Sequence, residues 1–171
     1  MSWVDDVKNS IPDHAKDIKL NLDSVINRSG LDDVDAHACA LAAAIASSNG
    51  ELAYEIQHNG PLRGTDEREA AKTAAALMAM NNVYYPFVEM TGEEELKKSP
   101  AGLRMNAYAT HGGVTKKKFE MYALSASIVG KCHFCVKSHY DILKKEGMTV
   151  QQLQSVARIA SVVAALNKVA I

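Results

Sequence analysis

Helical sequence patterns run along almost the whole chain, and strand patterns are nearly missing from it. Residues 32–50, "DDVDAHACALAAAIASSNG", are rich in alanine, the residue with the highest helix propensity, and we expect this helix to end at the Asn-Gly pair. Near the C-terminus, Thr149 and Gln152 have the spacing of a capping box that starts another helix. The one aromatic and β-branched patch, "VYYPFV", contains Pro86, which predicts the end of a helix or a bend. An all-α fold follows.

Length and charge restrict the classes of protein to consider. A chain of 171 residues is expected to form one domain, 1–171, that buries enough surface to fold without disulfide bonds or a structural metal ion. The formal net charge of −1 argues against a nucleic-acid partner, which usually meets a basic surface. No apolar run approaches the ~20 residues that cross a bilayer, and the N-terminus lacks a signal-peptide pattern, so we expect no membrane partner and a cytoplasmic location.

The chain contains a weak internal repeat, which divides the domain into a first half (1–95) and a second half (96–171). "ALAAAIASSNGELAYEI", from Ala40, matches "ALSASIVGKCHFCVKSHYDI", from Ala123, 83 residues later. Similar composition alone could produce this likeness. If the repeat is real, Asn49 occupies the place of Cys132 in a degenerate first half. A fold that forms one copy without the cysteine pair does not need the pair in the other, which favours a chemical role for Cys132 and Cys135.

The stretch "GKCHFCVKSHYDILKKEG" holds two cysteines three residues apart and a histidine four residues after the second: Cys132, Cys135 and His139. We expect a helix to begin near Cys132, and the backbone N–H groups of a helix start stabilise a thiolate. At about 100° per residue, the two cysteines and His139 share one face of this helix. On the same count His133 lies to the side of that face, and Phe134 points away from it.

Glu120, on the preceding predicted helix, is the remaining candidate residue. A carboxylate that faces His139 would hold its tautomer and allow it to act as a base. Three interpretations of the cysteine pair stay open at this point: a redox dithiol, a metal site, or two small buried residues. A zinc site would have to use Cys132, Cys135, His139 and Glu120, without the second cysteine pair that structural zinc sites usually have.

These residues carry a family resemblance. The segment from Glu120 to His139 resembles the Glu…Cys-x-x-Cys-x-x-x-His signature of the alkylhydroperoxidase D group of the carboxymuconolactone decarboxylase-like superfamily. In this segment eleven residues separate Glu120 from "CHFC", and "VKS" then precedes His139. The chain length, the helical character and the two similar halves are also similar to that family. The resemblance therefore implies an all-α fold of two related halves, with the active motif in the second half.

The resemblance also implies an activity and a set of roles. The protein would be a peroxidase that reduces alkyl hydroperoxides, with Cys135 as the peroxidatic thiol that forms a sulfenic acid and Cys132 as the proton donor that closes a disulfide with it. Glu120 and His139 would form a proton relay. One branch of the family has a histidine where this chain has Phe134. Either His133 takes that role through a local change of the backbone, or the relay of this chain runs without that residue.

The implied partners follow from the same resemblance. No bound cofactor is expected, because reducing power would arrive by thiol exchange from a lipoyl group on a dehydrogenase-complex protein. A peroxiredoxin is a second implied partner, and the family's members are typically homotrimers. Two alternatives remain: a zinc-clipped or oligomeric interaction scaffold, and a decarboxylase like the other branch of the superfamily. A thioredoxin-type disulfide reductase is disfavoured, because its βαβ units are absent from the sequence pattern.

Overall fold

The computed structural model describes residues 2–169, and within that range the chain forms ten α-helices and no β-strand. The predicted all-α fold is therefore confirmed. The helices are α1 (Trp3–Ser10), α2 (Lys16–Asn27), α3 (Asp33–Ala46), α4 (Gly50–His58), α5 (Asp66–Thr91), α6 (Glu94–Lys98), α7 (Asn106–Ala109), α8 (Lys116–Gly130), α9 (His133–Lys145) and α10 (Val150–Leu166). Two 3₁₀ turns lie at Asp13–Ala15 and His111–Gly113.

Side-chain caps set the starts of the longer helices. The Thr65 hydroxyl accepts the backbone N–H of Arg68 at the start of α5. Thr149 and Gln152 form the predicted capping box at the start of α10, with the Thr149 backbone N–H donating to the Gln152 side chain at 3.0 Å. Such caps satisfy backbone donors that have no partner inside the helix.

Helices α3, α5 and α8 form the centre of the molecule, and α10 packs against α3 and α8. Most alanines of α3 are completely buried, which allows its neighbours to approach closely. The junction of α3 and α8 also carries buried hydrogen bonds, among them Tyr122 to Asp35 at 2.6 Å and Ser125 to the Cys39 carbonyl at 2.8 Å. None of the helices within residues 2–169 has the length and apolar character that a membrane span requires.

The helix boundaries follow the offset of 83 residues seen in the sequence. Helix α3 begins at Asp33 and α8 at Lys116, and α4 begins at Gly50 and α9 at His133. Each pair is joined through one residue in the left-handed region, Ser48 with φ 61° in the first half and Lys131 with φ 55° in the second. These correspondences describe α3–α4 and α8–α9, while the division of the domain at residue 95 stays a prediction.

Two sequence-based helix ends differ from the structure. Helix α5 continues past Pro86 and ends at Thr91, and Gly92, with φ 64°, caps it. An interior proline removes one backbone donor and crowds the carbonyl four residues earlier, and the other contacts of this 26-residue helix outweigh that cost. Helix α3 ends at Ala46 instead of the Asn-Gly pair, because Asn49 caps the start of α4 by accepting the backbone N–H of Leu52 at 3.0 Å.

Replacing Gly130 with alanine is expected to lower the free energy of unfolding by about 1–3 kcal/mol, the usual cost of overpacking. Gly130 lies against Asn82 of α5, and a Cβ atom at position 130 would stand 2.8 Å from the Asn82 Cβ. Urea unfolding of the oxidised protein measures the loss. Gly50→Ala is the matched control, because nothing lies within 4 Å of the added atom. Equal midpoints for the two variants would contradict this account of the α5–α8 contact.

Candidate active site

The junction between α8 and α9 places the first cysteine at a helix start. Helix α8 ends at Gly130, and Lys131 adopts the left-handed conformation that turns the chain. The backbone N–H of Lys131 donates to the Ile128 carbonyl at 3.2 Å, and that of Cys132 to the Ser127 carbonyl at 3.4 Å. As a result Cys132 is the N-cap residue of α9, one position before its first helical residue.

Cys132 and Cys135 are joined in a disulfide, with Cα atoms 5.2 Å apart. The backbone N–H of Cys135 donates to the Cys132 sulfur at 3.2 Å. A donor in this position, together with the helix start, stabilises negative charge on Cys132. Both residues are buried, with Cys132 at 0% and Cys135 at 3% relative exposure. The site therefore holds a dithiol in its oxidised form, shielded from bulk solvent.

A buried histidine–glutamate pair lies on the inner side of α9. His139 Nδ1 is 2.5 Å from Glu120 Oε2, and Nε2 is 3.1 Å from the Met78 sulfur. Glu120 is completely buried and His139 is nearly so. Because an ionised carboxylate only accepts hydrogen bonds, Nδ1 must carry a proton in this contact. Glu120 thus fixes the orientation of the ring, one helical turn after Cys135.

The second oxygen of Glu120 is also occupied. The Tyr108 hydroxyl, from α7, donates to Glu120 Oε1. Burial by itself raises the pKa of Glu120, but the hydrogen bonds from His139 and Tyr108 outweigh burial, so the pKa lies below its ordinary value. Burial and the neighbouring Glu120 carboxylate raise the pKa of Tyr108 above its ordinary value, which keeps the phenol protonated as a donor.

His133 and Phe134, between the two cysteines, point away from this buried pair. His133 is exposed, and its Nδ1 lies 3.0 Å from Glu89 Oε1. The Phe134 ring stacks on Tyr85 with 4.5 Å between ring centroids. Both belong to the wall of a surface groove of about 640 Å³, formed with the end of α5 and the segment around Pro100. Neither cysteine belongs to the residues that line this groove.

The structure thus brings four sequence-derived candidates together in two pairs, Cys132 with Cys135 and Glu120 with His139, and leaves His133 outside them. Sequence reasoning missed Tyr108 and Met78. Both come from separate helices, at sequence distances that no helical period connects to the motif. Cys39 is a free, completely buried cysteine outside the site, and burial raises its pKa.

The residues that a zinc site would use have other partners in this arrangement. The two sulfurs are bonded to each other, and both ring nitrogens of His139 face partners inside the protein. Among the residues that the structure describes, no group of three or more histidine, cysteine or acidic side chains has the arrangement of a metal site. The arrangement instead defines an all-helical redox protein, in which a Cys-x-x-Cys disulfide at a helix start is backed by a buried histidine–carboxylate pair.

Comparison with known proteins specifies the family. Residues 94–170 match the carboxymuconolactone decarboxylase family. The chain is 41% identical to an alkyl hydroperoxide reductase AhpD of Maricaulis maris, over 97% of this chain and 96% of the relative. It is 40% identical to the protein of that name from Coxiella burnetii, over 96% and 94%, and 37% identical to that of Methylocella silvestris, over 94% and 90%. The chain belongs to the AhpD family of alkyl hydroperoxide reductases, within the carboxymuconolactone decarboxylase superfamily.

Proposed function

We propose that this protein is a thiol peroxidase that reduces alkyl hydroperoxides through the Cys132–Cys135 dithiol. The observation that carries the proposal is the disulfide at the start of α9 beside the buried Glu120–His139 pair. Membership of a family whose curated relatives are named alkyl hydroperoxide reductases supports the same reaction. The decarboxylase alternative uses neither the dithiol nor its exchange chemistry and is not favoured.

In the first step, a thiolate of Cys135 attacks the terminal oxygen of the hydroperoxide. An S–O bond forms and the O–O bond breaks, so the alkoxide leaves, takes up a proton and departs as the alcohol, while Cys135 becomes a sulfenic acid. His139, one turn away, accepts the thiol proton at Nε2, the nitrogen that lies against the Met78 sulfur in the oxidised protein, and Glu120 stabilises the imidazolium that results.

In the second step, the Cys132 sulfur attacks the sulfenic sulfur of Cys135. The S–O bond breaks, water leaves, and the disulfide forms. A Cys132 sulfur that caps α9 is already held beside the sulfur it attacks, since it accepts the Cys135 backbone N–H. Over both steps the dithiol loses two electrons and two protons, and the hydroperoxide becomes an alcohol and water. The disulfide in the structure corresponds to the end of this half-cycle.

The proposal includes the reductant and the setting. A dithiol reduces a protein disulfide by two exchange steps, which suits a lipoyl group carried on a dehydrogenase-complex protein. A partner peroxiredoxin would exchange with the same pair by the same chemistry. A compartment that keeps thiols reduced, as the cytoplasm does, supports repeated turnover. A homotrimer would cover the apolar side chains exposed near the end of α5, among them Val83 and Met90.

The direct test is to count free thiols before and after one equivalent of cumene hydroperoxide. The reduced protein has three cysteines, and we expect two thiols to disappear, with Cys39 retained. Continuous consumption of the hydroperoxide with dihydrolipoamide as reductant should follow. Cys39→Ala is the control and should lose its two remaining thiols in the same way. Reduced protein that keeps all its thiols would refute the proposed function.

A further inference from the structure

We propose that Tyr108 is a positioning residue of the dithiol site, which acts through Glu120 to fix the orientation and proton affinity of His139. The inference rests on the proposed function for its catalytic meaning. Its direct test, a titration, needs no turnover. Tyr108 lies outside the Cys-x-x-Cys motif and the segment from Glu120 to His139 that carries the family resemblance, so no motif assigns it this role.

Packing contacts hold the Tyr108 ring in place. Its ring meets the Phe119 ring edge to face, with 5.5 Å between centroids, and lies 6.4 Å from the His111 ring. Helix α7, which carries Tyr108, packs against α5 and the 3₁₀ turn that follows. A ring held in this way can deliver its hydroxyl to one defined point, and that point is Glu120 Oε1.

The two oxygens of Glu120 therefore have different hydrogen-bond partners. Oε1 accepts from Tyr108, and Oε2 lies 2.5 Å from His139 Nδ1. Because Glu120 is completely buried, rotation of its carboxylate would leave an oxygen without a donor. The phenol thus prevents the carboxylate from turning away from the imidazole. Hydrogen bonds to a charged carboxylate are strong, so this restraint is firm.

The same contact sets a direction for proton affinity. A donor to an anion stabilises the charged form, so removing the Tyr108 hydroxyl makes the Glu120–His139 pair hold its proton more tightly. The titration of the pair then moves to higher pH. Lys116, on the same helix as Glu120, also lowers the Glu120 pKa and is unaffected by the change. From α5 the pair faces the uncharged Met78 sulfur, and from the 3₁₀ turn Tyr108 faces His111.

The experiment is an NMR titration of the histidine imidazoles in oxidised wild-type and Tyr108→Phe protein, in which no Cys135 thiol titrates beside the pair. The signal lost in His139→Asn assigns His139. We expect the midpoint of the coupled Glu120–His139 pair, followed at the His139 ring, to rise by about one unit, the lower end of the scale of one hydrogen bond to a charged group. Tyr122→Phe is the matched control. It removes a second buried phenol that donates to a carboxylate, Asp35, from the same helix as Glu120. Its His139 midpoint should match that of the wild type.

An unchanged His139 midpoint in Tyr108→Phe, or an equal rise in Tyr122→Phe, would overturn the proposal. If Tyr108→Phe does not fold, the wild-type protein still provides a test. The ¹³C signal of the Tyr108 ring should stay phenolic through the ordinary tyrosine range near pH 10, and ionisation within that range would overturn the contact. Reduced wild-type protein that leaves hydroperoxide intact would instead refute the proposed function and leave both titrations standing.

Discussion

Cys135→Ser is expected to lower kcat/KM for cumene hydroperoxide by on the order of 10³-fold or more, the scale seen when a nucleophile is removed. A serine hydroxyl cannot replace the thiolate, because it is far less acidic and does not form a sulfenic acid. Stopped-flow measurement of hydroperoxide consumption by prereduced protein gives the constant. The Cys39→Ala variant, which changes a buried cysteine outside the site, should keep the wild-type value.

Cys132→Ser should behave differently from Cys135→Ser. With the attacking thiol intact and the resolving thiol gone, the first step proceeds once and stops at the sulfenic acid. Dimedone should therefore label Cys135 in this variant, and the thiol count should fall by one instead of two. Labelling of Cys132 in the Cys135→Ser variant, with none in Cys132→Ser, would reverse the assignment of the two thiols.

The structure has one feature that favours each cysteine as the more acidic thiol, so the labelling experiment decides between them. Cys132 accepts a backbone N–H at the start of α9, which stabilises a thiolate there. Cys135 lies one helical turn before His139, which can take up its proton. The assignment to Cys135 supposes that the histidine outweighs the helix start. If labelling shows the opposite, the backbone donor is the stronger influence and His139 serves the leaving group alone.

The local features of the fold could be predicted because their signals lie within a few residues. The Thr149–Gln152 capping box depends on a spacing of three residues, and the structure contains it as predicted. The placement of the two cysteines near a helix start used the same short-range reasoning, and the structure puts Cys132 at the N-cap position. A helical period then relates Cys135 to His139 without any knowledge of the tertiary structure.

Contacts between distant helices could not be predicted in this way. Met78 reaches His139 from α5 and Tyr108 reaches Glu120 from α7, and both depend on how helices pack. Helix α5 also runs past Pro86, where the sequence predicts a helix end or a bend, because the rest of the helix outweighs the local effect of the proline. Helix propensity describes a residue in isolation, whereas tertiary packing determines these contacts and the extent of α5.

The first half of the molecule shows what the second half adds. His37 occupies the place of Glu120 under the offset of 83 residues, and its Nδ1 lies 2.8 Å from the Asp33 carbonyl of its own helix. The ring of Trp3 packs against it edge to face, 5.8 Å away. Asn49 caps α4 through its side-chain oxygen, as Cys132 caps α9 through sulfur. The two halves thus share a helix-cap position, and the second half replaces an amide by a thiol.

Glu120→Gln is expected to lower kcat/KM at pH 7 by about 10²-fold or more, within the usual contribution of general acid–base catalysis. Glutamine can keep both contacts, since its oxygen accepts from His139 and its amide group faces the Tyr108 oxygen. The charge alone is lost, and the imidazolium that forms when His139 takes the thiol proton is left buried without a counter-ion. The pH dependence of kcat/KM measures the effect.

Asp35→Asn is the matched control for this variant, because Asp35 is also a buried carboxylate that accepts from a tyrosine, Tyr122. It should change stability and leave kcat/KM near the wild-type value. A Glu120→Gln protein with activity within about threefold of wild type would show that the carboxylate charge has no part in the reaction.

The direction of the titration separates an electrostatic role from simple damage to the site. Loss of the carboxylate charge in Glu120→Gln should move the His139 titration to lower pH, because the imidazolium loses its counter-ion. Loss of the phenol in Tyr108→Phe should move it to higher pH, because the carboxylate loses a competing donor. Loosened packing has no reason to act in opposite directions at two residues that touch each other. Shifts of opposite sign would therefore identify Glu120 as the charge that governs His139, and Tyr108 as the group that moderates it.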